Sequence, residues 1–546
     1  MLEASRIITF LAVAGALLSG AHAISAVTRS GRYLYSGGNR FYIKGIAYQP
    51  QGVEVASANN PFLSPSTFVD PLANSTACAR DLPYLQQLGV NAIRVYSVNS
   101  SLNHDSCMQA FSNAGIYTII DLSLPVNGSI ESTSPAWTTN LLGLYVDTID
   151  AFSKYDNVLA YNVGNEVITS AATSNAAPFV KAAARDIKAY LTSQKSSVMV
   201  GYAAIDGTAD WLDPFAEYLS CDPSGSNSAS TSIDLFGLNN YQWCGNSSFA
   251  AAYADTEAQF QNYNVAAYFS EYGCASVSPR PWTEVGALFS SEMSPVWSGG
   301  LAFSYFPATS AAGSFGMVTI NADDTVTTSQ DFTNLKTEYA AASPPNTPTQ
   351  SNAGSATYPS CPAQNATFLA STSLPQTPNL AACTCLESTL SCSFTPQVSN
   401  TSAIVGTLLN YACSALGSSG GNCDAIAANG TSGTYGVVSA CDPSIMLSYV
   451  MNEYYYANGA SAQACSFSGN GTVNAAAPSG TSAQSSAASS CLASASGTFT
   501  PTSSGGTTSS GGQSSGAASI VGDTRALVGL GAMLTIGAVS GVWILA

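Results

Sequence analysis

Eight short apolar runs recur over about 300 residues, each bounded by turn-forming residues: 40–48, 91–96, 116–122, 158–163, 197–202, 233–238, 265–270 and 300–305. Apolar runs of this length without polar alternation read as strands buried on both faces, the condition of a parallel sheet covered by helices. Helical patterns lie between them. The clearest spans residues 138–155, where Leu141, Tyr145, Ile149 and Phe152 fall on one face. Residues 80–88 and 177–191 carry two more. Strands alternating with helices in this way specify an α/β chain with a (β/α)8 barrel.

Two of the runs end abruptly in acid. Val158-Leu-Ala-Tyr-Asn-Val-Gly-Asn-Glu166 closes the fourth strand and Ala266-Ala-Tyr-Phe-Ser-Glu271 the seventh. A carboxylate has no packing reason to sit at the C-terminal end of a buried strand, and that end of a barrel is where chemistry is built. Taken singly, Asn165-Glu166 is as common as any solvated loop pair, and Glu271 says still less. Together they are the minimum equipment for cleaving a glycosidic bond. Strands four and seven face each other across a barrel mouth, which sets the carboxyls ~5 Å apart, the separation of a retaining glycosidase. One glutamate is then a protonated acid and the other an ionised nucleophile, split by mutual repulsion and by hydrogen bonds to the nucleophile. Tyr48, Tyr96, Tyr202, Tyr241 and Tyr305 end strands at the same face. A tyrosine offers a flat apolar face and a hydroxyl, which suits a sugar ring; Tyr202 is expected in the core instead.

Other chemistries find little support. A net charge of −17 with only 9% charged residues excludes a nucleic-acid partner. The chain has two histidines, of which His22 falls in an N-terminal signal, so a histidine-based zinc site is excluded and no metal or cofactor is expected. His104 has no G-x-S-x-G elbow to serve and reads as structural. No glycine loop precedes a helix in a phosphate-binding pattern.

The chain ends set the compartment. Arg6, the apolar stretch 7–18 and Ala21-His-Ala23 form a secretory signal over residues 1–23, with cleavage expected before Ile24. Residues 526–546 are uncharged and apolar with no basic flank after them, and small residues precede them at 514–518. This fits a glycosylphosphatidylinositol signal modified at Ser515 or the adjacent Gly516, with residues 516–546 removed; a single-pass helix is the alternative. The expected location is the extracellular face of the plasma membrane, and the cell wall. Fourteen cysteines in a secreted chain imply seven disulfides, and eight glycosylation sequons (Asn74, Asn99, Asn127, Asn246, Asn365, Asn400, Asn429, Asn470) agree with that route. The barrel is expected over 24–342, a linker with Cys361 over 343–382, and a small, mainly helical, disulfide-stapled module over 383–491, where eight cysteines allow 105 pairings. Residues 492–515 read as a disordered Ser/Gly-rich stalk.

Several spaced motifs carry a resemblance. Phe41-Tyr-Ile-Lys-Gly-Ile-Ala-Tyr-Gln49, Ala92-Ile-Arg-Val-Tyr96, Tyr161-Asn-Val-Gly-Asn-Glu166, Phe236-Gly-Leu-Asn-Asn-Tyr-Gln-Trp-Cys-Gly245 and Phe269-Ser-Glu-Tyr-Gly-Cys274 resemble the fungal 1,3-β-glucanosyltransferases of glycoside hydrolase family 72, over about residues 26–340. The resemblance implies a retaining, monomeric enzyme that cuts a β-1,3-glucan donor internally and joins the new reducing end to the non-reducing end of an acceptor glucan. It implies Glu166 as acid/base and Glu271 as nucleophile. Tyr48, Arg94, Tyr96, Asn165, Asn239, Tyr241 and Tyr305 become substrate-binding, with Asn165 on the sugar 2-hydroxyl. It also implies the disulfides Cys78–Cys107, Cys221–Cys361 and Cys244–Cys274. Cys383-Thr-Cys385, Cys392, Gly433-Thr-Tyr-Gly436, Cys441 and Asn452-Glu-Tyr-Tyr455 resemble the carbohydrate-binding module of one branch of that family, whose task is to hold glucan or to help the barrel fold. Three positions depart from the family: Glu131-Ser132 follows Ser129-Ile130 in place of Asn-Arg, Ser304 replaces a glutamate, and Trp211 replaces a basic residue. All three are expected on the active-site side, where they bear on subsite binding. An endo-β-1,3-glucanase and a non-catalytic glucan-binding wall protein remain the alternatives.

Overall fold

The computed structural model describes residues 24–51, 68–124, 128–310, 313–398, 401–493 and 500–502. The signal, Ser515, the segment 516–546, most of the stalk and the sequons at Asn127 and Asn400 lie outside the described residues.

Eight parallel strands close into a barrel: β1 (Ile43–Ala47), β2 (Ala92–Val95), β3 (Tyr117–Asp121), β4 (Val158–Asn165), β5 (Met199–Ile205), β6 (Leu235–Asn239), β7 (Ala266–Tyr272) and β8 (Trp297–Ala302). Each lies within or across one of the apolar runs. The first run is divided: Asn39–Arg40 belongs to a three-stranded antiparallel sheet with Val27–Ser30 and Tyr33–Ser36. Val27, Leu34 and Phe41 from this region plug the barrel's N-terminal end, packing on Ile43, Tyr117, Ile119, Leu159, Leu235 and Leu301 in the interior. The upper interior is different in kind. Arg94, Asp121, Asn162, Asn239 and Ser270 are all buried there, and buried polar groups persist only where they satisfy one another.

The helices follow local signals. α1 (Ser75–Leu88) starts at Asn74, whose side chain accepts from the Ala77 N–H at 3.0 Å, and stops at Gly89, which has φ +68°. Its partner α2 (Asp105–Asn113) is joined to it by Cys78–Cys107. α3 (Thr139–Phe152) buries Leu141, Tyr145, Ile149 and Phe152, the face read from the sequence. α4 (Ala177–Ser193) and α5 (Ala209–Ser220) pack beside each other. Cys221–Cys361 ties the linker to the end of α5, and Cys244–Cys274 joins the loops after β6 and β7.

Four helices, Leu380–Thr389, Ser402–Ser418, Pro443–Ala457 and Thr481–Ala493, frame the C-terminal module. Its apolar core is split into two small clusters, around Leu447 and Met451 and around Leu386 and Val438. Cores of that size need covalent staples. Cys383–Cys441, Cys385–Cys491, Cys392–Cys465 and Cys413–Cys423 supply them. The module sits against the α3–α4 side of the barrel. Thr139 N donates to the Ala440 carbonyl at 2.9 Å, and the Phe179 and Tyr435 rings meet edge to face at 5.7 Å. Gly430 comes so close that a Cβ there would stand 1.9 Å from the Asn175 carbonyl oxygen. Among the described residues no helix is long and apolar enough to cross a membrane.

Candidate active site

The C-terminal ends of β2, β3, β4, β6 and β7 converge on one guanidinium. Arg94 is fully buried, and such a charge survives only with partners on every side. Asp121 takes it bidentately, Oδ2 from Nη2 at 2.7 Å and Oδ1 from Nε at 3.2 Å. Asn162 Nδ2 donates to the same Oδ1 at 2.6 Å. The remaining donors reach upward: Nη2 to Asn165 Oδ1 at 2.8 Å and Nη1 to Glu271 Oε1 at 3.3 Å. The Tyr96 ring lies over the guanidinium at 4.3 Å.

The two glutamates sit in unlike company. Glu271 accepts from Tyr96 Oη at 2.8 Å on Oε1 and from Tyr241 Oη at 2.7 Å on Oε2, besides Arg94. Register across the barrel pairs it with Asn239 on β6. Glu166 accepts one amide, Asn239 Nδ2 at 2.6 Å on Oε1. Its backbone has φ +51°, a strained left-handed turn for a side chain with a Cβ, of the kind that gathers at functional sites. Burial pushes the Glu271 carboxyl up to about 7 against the pull of Arg94; the Glu166 charge raises it, and the Tyr241 and Tyr96 hydroxyls lower it. Burial also raises Glu166, opposed by the Asn239 amide and by Arg94. Two such groups titrate as a pair. Arg94 and two hydroxyls bond Glu271 directly, whereas one neutral amide bonds Glu166, so a shared proton resides on Glu166.

A barrel mouth holding two carboxyls of opposed protonation is the equipment of a glycosidase, and comparison with known proteins narrows it. A family model described as "Glucanosyltransferase" (glycoside hydrolase family 72) matches residues 16–343, and one described as "X8 domain" matches 390–472. The chain belongs to the glucanosyltransferase family. It is 42% identical over 480 residues to 1,3-beta-glucanosyltransferase gas1 of Schizosaccharomyces pombe, covering 87% of this chain and 83% of that one. It is 38% identical over 439 residues to 1,3-beta-glucanosyltransferase GAS2 of Saccharomyces cerevisiae, covering 78% and 75%. Among solved structures, a variant of Saccharomyces cerevisiae Gas2p in complex with laminaritetraose and laminaripentaose matches with a TM-score of 0.74 at 34% identity, covering 86% of this chain and 98% of that one.

Within this glucanosyltransferase, Arg94, Tyr96, Asn165, Glu166, Asn239, Tyr241 and Glu271 come together in one hydrogen-bonded group. Two tyrosines read as substrate-binding do not join them. Tyr48 and Tyr305 are fully buried, and both donate to Asp81 on α1, at 2.8 and 3.1 Å. The reason is local: β8 ends at Ala302, and Tyr305 N bonds the Ala47 carbonyl at 2.9 Å, which carries the chain back against β1 and its side chain into the core. Phe303, two residues earlier and only partly buried, stands at the site in its place. Its ring lies 6.3 Å from Tyr96, 6.4 Å from Tyr241 and 5.2 Å from Phe315, an aromatic wall beside Glu271. Tyr202 is core, as expected from the sequence, its hydroxyl accepting from the Val167 and Ile168 N–H groups. His104 is buried against Phe152 and pairs with Asp70 at 2.8 Å.

Two of the three departures are also turned inward. Ser304 is buried and donates to the Phe306 carbonyl at 2.8 Å; Trp211 is buried with its indole over Gly207. Asp121, Ser270 and Phe303 were not read from the sequence. Asp121 carried the same signal as the glutamates, an acid ending a buried strand.

Proposed function

We propose that this chain is a retaining 1,3-β-glucanosyltransferase that cleaves a β-1,3-glucan chain internally and passes the new reducing end to the non-reducing end of a second glucan. The observation that carries the reading is the unequal solvation of the two glutamates. Glu271, held ionised by Arg94, Tyr96 and Tyr241, attacks the anomeric carbon. Glu166, holding the proton, gives it to the departing glycosidic oxygen, so that one C–O bond forms as the other breaks. The glycosyl-enzyme is resolved when a hydroxyl of the acceptor sugar loses its proton to Glu166 and attacks the same carbon, freeing Glu271. Asn165 accepts from Arg94 and Asn239 through Oδ1, which leaves its Nδ2 without a protein partner among the described residues and available to the sugar 2-hydroxyl. The aromatic wall gives an acceptor ring a face to lie on and raises its local concentration over water.

The same reading holds the enzyme on the outer face of the plasma membrane through an anchor at Ser515, with the C-terminal module meeting wall glucan. It is supported by the small residues and the apolar tail in the sequence. Treatment of intact cells with a phosphatidylinositol-specific phospholipase is expected to release the protein.

The catalytic assignment is tested with an activated aryl glucan donor. Glu166→Gln lacks the base for the second step, so a covalent adduct of donor mass is expected to accumulate on the intact protein, whereas Glu271→Gln forms none. An adduct on the Glu271 variant reverses the roles.

A further inference from the structure

Asn239 ends β6 where a sugar contact is expected, yet its side chain is spent inside the site. It is 2% exposed. Its Nδ2 donates to Glu166 Oε1 at 2.6 Å and to Asn165 Oδ1 at 3.2 Å. Its Oδ1 accepts from Ser270 Oγ at 2.7 Å and from Arg94 Nη1 at 3.5 Å. The two ends of an amide have nearly the same shape and opposite hydrogen-bonding sense. Which end meets Glu166 therefore depends on what holds the other. Turned over, Asn239 would set its carbonyl against Asn165 Oδ1 and against Glu166 once that group has given up its proton, and its NH2 against the guanidinium.

Ser270 makes the shorter of the two bonds that fix the carbonyl end. It is fully buried, and its hydroxyl has no other acceptor among the described residues. The fold makes room for it. A Cβ on Gly237, the β6 residue alongside, would come within 2.6 Å of both Cβ and Oγ of Ser270, closer than real Cβ atoms approach.

We propose, resting on the assignment of Glu166 as acid/base, that Ser270 is a positioning residue: it orients the Asn239 amide so that an N–H, and not a carbonyl, meets Glu166. An N–H on that oxygen favours the carboxylate. Glu166 must give a proton in the first step and take one in the second, so a donor that keeps the ionised form accessible serves the transfer half of the cycle. The charged and titratable groups facing Glu166 are Arg94 from β2, Tyr202 from β5, Tyr241 after β6 and Glu271 from β7. Asn239 is the group that hydrogen-bonds its carboxyl directly.

The test is the pH dependence of kcat and kcat/KM on a reduced β-1,3-gluco-oligosaccharide, for wild type, Ser270→Ala, Ser270→Cys, Asn239→Ala and the Ser270→Ala/Asn239→Ala double variant. The basic limb of kcat/KM reports the acid in the free enzyme. Loss of one hydrogen bond is expected to lower kcat/KM by about fivefold and to lift that limb by about 0.7 of a pH unit in Ser270→Ala, with KM little changed. Asn239→Ala should lift the same limb, and the double variant should go no further than Asn239→Ala, because Ser270 acts through that amide. Ser270→Cys fills the space with a weak donor and is expected to follow Ser270→Ala; it carries the test if the alanine variant is not secreted. An unmoved limb in either variant, or additive effects in the double variant, overturns the proposal. Full turnover by Glu166→Gln would instead overturn the functional reading.

Discussion

The most informative single change is Tyr241→Phe. Its hydroxyl donates to Glu271 Oε2 at 2.7 Å and is the one donor to that oxygen among the described residues, whereas Oε1 keeps Arg94 and Tyr96. The phenyl ring keeps the contacts with Phe303 and Phe315. A hydrogen bond to a charged group contributes about 1.5–3 kcal/mol. At about 1.4 kcal/mol per pKa unit, its loss raises the Glu271 pKa by roughly 1–2 units. The sign follows from the donor. Without it the carboxylate is less stable, a smaller fraction is ionised at a given pH, and the nucleophile must be ionised to attack. The acid limb of kcat/KM is therefore expected to move to higher pH by roughly 1–2 units, and activity one unit below the wild-type limb to fall by about tenfold or more. Tyr96→Phe should shift the limb less, because Arg94 still serves Oε1. The assay is initial-rate transfer on a reduced gluco-oligosaccharide over the stable pH range, with thermal unfolding as a check on folding. An unmoved acid limb would refute the bond's role. A shift confined to the basic limb would mean that Glu271 is the acid and Glu166 the nucleophile.

Two other expectations concern the buried acids and the aromatic wall. Burial raises Glu166 and pushes Glu257 and Glu284 each up to about 7. Between about pH 4.5 and 7 the folded chain then holds protons that the unfolded chain has released, so stability falls as pH rises through that window; a thermal midpoint higher at pH 7.5 than at pH 5 would contradict this. Phe303→Ala removes the middle of the aromatic wall, and the ratio of hydrolysis to transfer, read from product masses, is expected to rise about fivefold for the loss of a stacking contact of ~1 kcal/mol. An unchanged ratio would place the acceptor elsewhere.

The barrel was legible because parallel strands buried on both faces leave apolar runs that helical periodicity cannot mimic, and because a carboxylate ending such a run has no packing excuse. What remained hidden depended on where side chains go after a strand ends. Tyr305 and Phe303 are both aromatic and two residues apart at the end of β8, and nothing in their spacing tells which returns to the core; the bond from Tyr305 N to Ala47 decides it. Asp81, which collects Tyr48 and Tyr305, looks in sequence like an ordinary acid beside Arg80. Asn239 ends β6 at the site, but its amide is engaged by protein groups, and which end meets which neighbour depends on Ser270 and Arg94, residues contributed by other strands. Likewise the four pairings of the module reflect its three-dimensional packing, and spacing alone left them open.

Transfer between glucan chains is tested most directly by mass. The secreted protein, incubated with a reduced β-1,3-gluco-oligosaccharide of one defined length, is expected to give products longer than the substrate together with the matching shorter fragments, and Glu271→Gln is expected to give neither. Exclusively shorter products from the wild type would make the enzyme a hydrolase and rule out transfer.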